Sequence, residues 1–546
     1  MNLIKFIIVY PIFIINSDKL DRNFTNILAY NFLILYNSTK KKYYGGILML
    51  SKKFILFVLA LLILITPAFT SCKETIEEES SVQTNSDVSS DENVFPLEVK
   101  KFDTTITILC VETGRHIYGE LQFVPNEEKE GNVINDAVKT RNDKIEQEYG
   151  IKIEVVATKY PGDDIKNSIS SGLDNYQIVN DAVYKMLPNA TSNYYKSLES
   201  DLKLNSPWWD QNAIDNLSIT DKTYFVAGDA LITDDDNTYL ILYNKTMYNE
   251  NGELFGKHGD IYDFVRNGKW TIDSMYEMAK VVSKPDENGL WSTEGGTYGL
   301  LGEAYGTGIL VSGAGITSAE KTSDGGMQLM VDSEKSVNSF NKVFSMMTDT
   351  SATIRVDHFG YDVGWGKISN MFIGNKGLFY CATTSSITSI LNNDTEDKVT
   401  YGVLPIPKYD EAQEKYYNGI NVYQSTVMAV PTTNIENYEA TIYLMEALGF
   451  YSKNMSSGSV TEAYYDTTLK LQAVDSQDDE DMLDIVFNNR LYDIGAIYDW
   501  GGKLLGIYSA VMRSNSNTLI SSFEAIKDGA EAAMEQTLED YKNIQT

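Results

Sequence analysis

The chain has 546 residues with 45 Lys and Arg against 76 Asp and Glu, a net charge of -31. Residues 1–71 hold eight of the basic residues and two of the acids, so the remainder carries -37, a field that repels nucleic acid and anionic head groups and does not favour anionic substrates. The 475 residues from Cys72 onward suffice for two or three domains with real cores, and three cysteines are few.

Residues 1–48 are rich in Asn, Ile, Tyr and Lys, and neither 4–15 nor 27–36 is long enough to span a membrane. An export signal follows. Lys52 and Lys53 form a positive n-region, Phe54 to Ile65 an unbroken apolar run, and Pro67 ends the helix before small residues lead to Cys72. Twelve apolar residues at about 1.5 Å each reach roughly 18 Å, short of a ~30 Å bilayer core. Phe69-Thr-Ser-Cys72 resembles the lipobox of bacterial lipoproteins, with Phe69 where that box usually has Leu. The resemblance implies cleavage before Cys72 and a lipid on its thiol; a plain secretory signal with a chance cysteine is the alternative. A signal belongs near its start codon, so translation is expected to begin at Met49, with 1–48 an extension without function.

Residues 72–100 are rich in Ser, Glu, Asp and Asn and poor in aromatics, the composition of a flexible acidic tether. The alternation of Thr104 to Val111 predicts a strand, Asn132 to Tyr149 a helix stopped by Gly150, Ile151 to Thr158 a second strand and Tyr176 to Val183 a third. Strand, helix, strand, helix, strand implies a parallel sheet, with ligand beyond the carboxyl ends of its strands, at Glu112–Tyr118 and Asp181–Met186. Cys110 and Cys381 each lie in an apolar strand-like run, which favours two buried thiols over a disulfide.

Further along come Tyr243-Asn-Lys245, Trp270-Thr-Ile-Asp273 opening a helix capped by Thr271, Tyr298-Gly299, a helix near 333–348, Phe372-Ile-Gly-Asn-Lys-Gly377 before a strand, Tyr401-Gly-Val-Leu-Pro-Ile-Pro407, and Glu439-Ala440 in a helix. This ordered set, over about 103 to 450, resembles the extracellular solute-binding lipoproteins of bacterial ABC transporters, in particular the sugar-binding family. The resemblance implies an α/β, two-lobed periplasmic-binding-protein-like fold of type II with a ligand cleft between the lobes. It places lobe 1 at 101–238 plus about 425–456 and lobe 2 at 239–424 plus about 457–546. The chain would cross near Asn237–Tyr243, Asn418–Ser425 and somewhere in 455–470.

No catalytic, metal or cofactor signature is present. The three histidines, His116, His258 and His358, lie far apart, and there is no His-Glu-x-x-His, Cys-x-x-Cys or Gly-x-Ser-x-Gly. The glycines from 302 to 315 fit no phosphate loop. Asp234–Asp236 and the acids of 475–484 lack the spacing of an EF-hand loop. The second run reads as a helix start favoured by the macrodipole. Asp236 is divided evenly between a turn residue and an acceptor for ligand hydroxyls.

Thirty-six Tyr and six Trp are the more informative signal, because sugar rings pack C–H faces on flat side chains while their hydroxyls need carboxylate, amide or Arg partners. Trp270 reads as core. Trp208, Trp209, Trp365 and Trp500 stand in polar or Gly-rich surroundings; packing is favoured over a ligand role for any single one, and at least one is expected at the cleft. The resemblance puts polar ligand contacts on Glu112, Arg115, His116 and Tyr118 after the first strand, on Asp181 and Tyr184 after the third, on Thr384 and Ser385, and a late aromatic at Trp500. Context alone adds Tyr305 and Trp365.

The function so implied is a lipid-anchored protein on the outer face of the cell membrane that captures a small solute, a sugar or oligosaccharide, and delivers it to two permease subunits and an ATPase. It would be no enzyme, use no cofactor and bind no nucleic acid. A surface-anchored glycoside hydrolase, which needs two carboxylates roughly 5 to 9.5 Å apart, and a glycan-adhesion or peptide-binding lipoprotein are the competing readings. Mass spectrometry of the unprocessed precursor should find no peptide from before Met49; one such peptide refutes that start site.

Overall fold

The computed structural model describes residues 94–544 apart from 130, 392–398, 457 and 466–476, so the signal, Cys72 and most of the tether lie outside the described residues. The strands among the described residues are β1 (Thr104–Val111), β2 (Ile151–Thr158), β3 (Ile178–Ala182), β4 (Tyr239–Asn244), β5 (Tyr298–Gly302), β6 (Ala319–Lys321), β7 (Met327–Leu329), β8 (Thr353–Arg355), β9 (Gly377–Thr383), β10 (Tyr401–Leu404), β11 (Asn418–Gly419), β12 (Thr426–Ala429) and β13 (Arg490–Leu491).

The alternating run 104–111 forms β1, which pairs in parallel with β2 from Thr104↔Ile151 to Val111↔Thr158 and with β3 at Ile108↔Ile178. Between β1 and β2 runs the helix Val133–Tyr149. Asn132 caps it by accepting from Asn135 N, and Gly150 ends it at φ 65°. An added Cβ at Gly150 would also lie 2.7 Å from Asp103 Oδ1, so only glycine fits that turn. β12 closes the first sheet in the order β12-β3-β1-β2.

The second sheet has the order β10-β4-β9-β5-β8. Its parallel strands are β5, β8 and β9, while β4 runs against both β9 and β10. Each sheet thus contains a strand entered from the other lobe. β4 starts where β9 ends, at Tyr239↔Thr383, and β12 starts where β3 ends, at Thr426↔Ala182. The crossing segments and the carboxyl ends of the parallel strands therefore converge, and the cleft lies there.

The second lobe is built around Trp270, which is wholly buried, donates from Nε1 to Pro405 O at 2.8 Å and packs on Phe379 at 5.1 Å. Thr271 and Ser274 form a reciprocal capping box for the helix Ile272–Val282. Gly299 on β5 touches that helix so closely that a Cβ would stand 2.1 Å from Ala279 Cα. Cys110 and Cys381 are buried free thiols, and burial pushes the Cys110 thiol up to about 12.

Several expectations need correction. Trp208 and Trp209 are buried; Trp208 donates to Glu446 Oε2 at 2.9 Å, because the polar residues around them in sequence turn to other partners. Trp500 is buried too, stacked on Tyr498 at 5.2 Å and donating to Thr537 Oγ1 on the helix Leu519–Asn543. The helix Val460–Tyr464 packs on Val133–Tyr149 in the first lobe, so the boundary near 457 is too early. The second acidic run opens a helix, Gln477–Asn488, as expected, with Asp479 in a structural role, buried against Lys245 at 2.6 Å and the Tyr262 hydroxyl. Asp475 lies outside the described residues.

Trp270→Ala removes a wholly buried indole, and urea unfolding should show a loss of about 3–5 kcal/mol. A loss below about 1 kcal/mol would mean that the second sheet does not depend on this residue.

Candidate functional site: the cleft between the lobes

After β1 the backbone folds into a turn in which the Glu112 carbonyl accepts from Arg115 N at 3.0 Å and His116 N at 3.1 Å. The turn directs Arg115, His116 and Ile117 into the cleft. Arg115 is fixed on three sides: Nη1 donates to Asp181 Oδ1 at 2.6 Å and to Lys159 O at 2.9 Å, and Nη2 to Tyr423 O at 3.0 Å. Asp181, at the end of β3, is wholly buried and accepts further from Gly162 N at 2.9 Å and Ala182 N at 2.7 Å. Burial raises its carboxyl above the ordinary range, against the pull of Arg115. The one guanidinium at the cleft wall is thus matched by a carboxylate from its own lobe.

The first crossing segment supplies Asp236 and Asn237, which follow the short helix Thr233–Asp236 into β4. Asn237 Nδ2 donates to Thr233 O at 2.8 Å and lies 2.7 Å from His116 Nε2, while Tyr118 N donates to His116 Nδ1 at 3.2 Å. Burial, and then Arg115, push the His116 imidazole down to about 4, so it is neutral at physiological pH. Asp236 Oδ1 accepts from the Tyr464 hydroxyl at 2.9 Å, while Oδ2 faces His116 Nε2 at 3.6 Å. Among the described residues no cation lies on Asp236, and burial pushes its carboxyl up to about 7. Such a group is set to accept a hydrogen bond from a ligand hydroxyl.

The facing wall comes from the second lobe: Tyr239 at the start of β4, Thr383, Ser385, Ser386, Thr388 and Ser389 after β9, and Trp365 from the helix Tyr361–Ile373. Asn421 and Gln424 on the second crossing segment complete a cleft of about 480 Å³. Trp365 is 43% exposed and Tyr423 41%. Tyrosine rings line up across the lobes: Tyr184 lies 5.1 Å from Tyr423, Tyr423 5.9 Å from Tyr305, and Tyr305 6.1 Å from Tyr239. The Tyr239 hydroxyl donates to Glu303 at 3.0 Å beneath the floor.

Of the residues expected from sequence, Arg115, His116, Asp236, Trp365 and Ser385 come together on the cleft walls. Asp181 stands behind Arg115, and Tyr184 and Tyr305 flank Tyr423. The others lie away from it. Glu112 contributes its backbone to the turn, Tyr118 packs inward on the Tyr464 ring at 5.7 Å, and Thr384 is wholly buried with its hydroxyl on Asp235 O. Trp500 belongs to the core. Sequence reasoning missed Ile117, Asn237, Tyr239, Asn421, Tyr423 and Gln424. The signal for most of them was present, since five of these six lie within the two crossing segments or at their margins.

A larger cavity of about 860 Å³ opens on the other face of the crossing segments, lined by Asp210, Asp235 and Arg490 among others. Arg490 there is paired with Asp210 and Asp235 and Lys453 with Asp229, and the lining holds the further acids Glu462, Glu480 and Asp484, a charged surface less suited to an uncharged, hydroxyl-bearing ligand than the smaller cleft. Among the described residues no group of three or more His, Cys, Asp or Glu converges as metal ligands, and no helix is long and apolar enough to cross a membrane.

No protein-family profile and no curated protein matches the chain. Solved structures do match. A cyclo/maltodextrin-binding protein complexed with maltotetraose superposes with a TM-score of 0.52 at 13% identity, over 80% of this chain and 98% of that one. UspC of M. tuberculosis superposes with a TM-score of 0.50 at 12% identity, over 79% of this chain and all of that one. At such identities the likeness shows the fold, and the fold is the two-lobed α/β architecture of the periplasmic binding proteins.

The His116 value near 4 lies below the ordinary 6.5, so between these values the folded chain binds fewer protons than the unfolded one. The stability this imidazole allows is full above pH 6.5 and falls as pH drops towards 4. Replacing it by Gln should flatten that part of the pH-stability curve, and an NMR titration should find the imidazole neutral at about pH 5. A midpoint at the ordinary value would contradict the buried Asn237 contact.

Proposed function

We propose that the chain is an extracytoplasmic solute-binding protein that takes a small, uncharged saccharide into the cleft and presents it to an ABC permease. The observation that carries this reading is the chemistry of the cleft: hydroxyl and amide side chains on both walls, one carboxylate without a cation, and the exposed ring of Trp365. Hydroxyls need the first two, and the C–H faces of a sugar ring need the third. The solved maltodextrin-binding structure with maltotetraose has the same fold, which supports a saccharide over a peptide. An anionic ligand finds no free charge to meet, because Arg115 is held by Asp181.

Ligand bound between the lobes favours the closed form by its higher affinity for it, and a permease reads that form. The chain binds and releases and makes or breaks no bond. Cys72 carries the lipid, and a tether of about 25 residues gives the lobes a reach of roughly 25 to 30 Å from the outer membrane face. That tethering raises the effective concentration of the receptor at its permease subunits.

Thermal shift of the purified chain against a panel of mono- and oligosaccharides tests the reading, since a ligand at about 100 times its dissociation constant adds ~2.7 kcal/mol. Chromatography of the same mixtures should show the glycan intact; a hydrolysis product would favour a glycoside hydrolase. A shift with peptides alone would overturn the saccharide assignment. With a glycan that binds, Trp365→Ala should weaken affinity by about 1 kcal/mol, roughly fivefold.

A further inference from the structure

The outer edge of the second sheet carries a pocket that the cleft does not use. β5 and β8 pair at Leu300↔Thr353, and β8 ends the sheet. Tyr298 at the start of β5, Thr350 ahead of β8, and His358 and Phe359 after it meet the loop residues Trp291 and Glu294 around a cavity of about 350 Å³. It shares no lining residue with the cleft. The helix Tyr361–Ile373 contributes to the two surroundings from different sides: Trp365 lines the cleft, while Lys367, about 200° further round the helix, places its ammonium 5.0 Å from the centre of the Phe359 ring.

Trp291 sits on a loop that is held at several points. The backbones of Lys284 and Thr297 exchange hydrogen bonds at 3.0 and 2.9 Å, Gly296 N donates to Ser292 O at 3.0 Å, and Lys376 Nζ donates to Glu294 O. An added Cβ at Gly296 would stand 3.2 Å from Tyr298 Cε2, so the loop lies directly on that ring. The Trp291 indole is nevertheless 39% exposed, with its ring 5.4 Å from Tyr298. A fixed loop that leaves a large ring open offers a flat apolar platform whose ordering cost is already met in the free protein.

Polar groups around this ring are open to a ligand. Among the described residues, the Trp291 indole N–H and the Tyr298 and Thr350 hydroxyls have no hydrogen-bond partner. Charge is matched at the rim: the Thr293 hydroxyl, and after it Lys367 and Lys376, hold the Glu294 carboxyl below its usual range, while burial, and then Arg355, hold the His358 imidazole below its own. An anion would have to meet Glu294, and a cation the two lysines. The volume falls in the range of pockets that hold small ligands. We propose that this pocket is a second carbohydrate site, which stacks one neutral sugar ring on Trp291 and bonds its hydroxyls to the indole N–H, Tyr298 and Thr350. The inference goes beyond the solute cleft and does not depend on it.

The test uses the full chain labelled with 5-fluorotryptophan, whose six tryptophans give fluorine resonances assigned one by one through phenylalanine replacement. Trp208, Trp209, Trp270 and Trp500 are buried and report the fold, Trp365 reports the cleft and Trp291 the outer pocket. Neutral tetrasaccharides of glucose, galactose, mannose and N-acetylglucosamine are added to about 10 mM, enough to fill about nine-tenths of a site with a Kd of about 1 mM. At least one should move the Trp291 resonance along a saturating curve, in the parent chain and equally in Trp365→Ala. Tyr298→Phe and Thr350→Val each lose only a hydroxyl and should weaken that binding about fivefold, while the buried resonances stay in place. The second site is overturned by a Trp291 resonance that no glycan moves, by a shift with tetramethylammonium alone, by a response that disappears in Trp365→Ala, or by an affinity that both hydroxyl variants leave unchanged. The two sites fail separately: a glycan that moves Trp365 and never Trp291 counts against this inference alone, and one that moves Trp291 and never Trp365 counts against the cleft reading alone.

Discussion

The architecture depends on two strands that run against their neighbours. β4 and β12 each enter a sheet from the opposite lobe, and each must start at the edge where the parallel strands end. Their pairing fixes the position of the crossing segments to within a residue, because a slip of one residue would move each side chain of β4 to the opposite face of the sheet, into packing shaped for its neighbour. All six residues of β4 are buried, so that slip is strongly penalised. The cleft residues Tyr239, Asp236 and Asn237 take their places from this constraint rather than from any contact with ligand.

A second layer of order comes from bonds between the crossing segments themselves. Asn421 N donates to Asn237 O at 2.9 Å, Thr238 bridges to Ile420, and Thr384 N donates to Thr238 O at 3.1 Å. These join the two crossing segments to the end of β9 in one hydrogen-bonded set. A hinge built this way bends as a unit, since breaking one backbone bond leaves a buried donor unsatisfied. It also explains why Thr384, expected at the ligand, faces the other way: in the turn after β9 its N–H and hydroxyl are both taken by the first crossing segment, at Thr238 O and Asp235 O.

How much of this was legible in the sequence follows from the range of the interactions. The first strand, helix and second strand were readable almost to the residue because period and caps are local: Asn132 and Gly150 bound the helix as expected. Trp270 and its capping threonine were readable for the same reason. The site was less so. Arg115 and His116 lie in the loop that the strand-end rule marks, and Asp236, evenly weighed between turn and ligand, just before the strand that crosses between the lobes, but Tyr118 two residues beyond His116 turns inward to meet Tyr464, a residue more than three hundred positions away. Trp500 failed likewise: polar neighbours in sequence say little about neighbours in space, and a buried indole needs only one acceptor, which Trp500 finds in Thr537, as Trp208 does in Glu446.

The charge pattern of the cleft can be argued one step further. Arg115 and Asp181 satisfy each other, and His116 is neutral, so the field at the ligand is set mainly by Asp236. A carboxylate without a cation is costly to bury, and the structure meets that cost partly through the Tyr464 hydroxyl and partly by raising the group towards neutrality. Oδ2 is left for a donor from outside the chain. A ligand hydroxyl that reaches it gains the hydrogen bond and relieves the strain of the free protein at once, whereas an apolar ligand of the same shape would bury the oxygen unsatisfied. Discrimination then comes from the penalty as much as from the bond, and it is the acid without a cation, Asp236, that would favour hydroxyl donors in the saccharide-binding role proposed for this cleft.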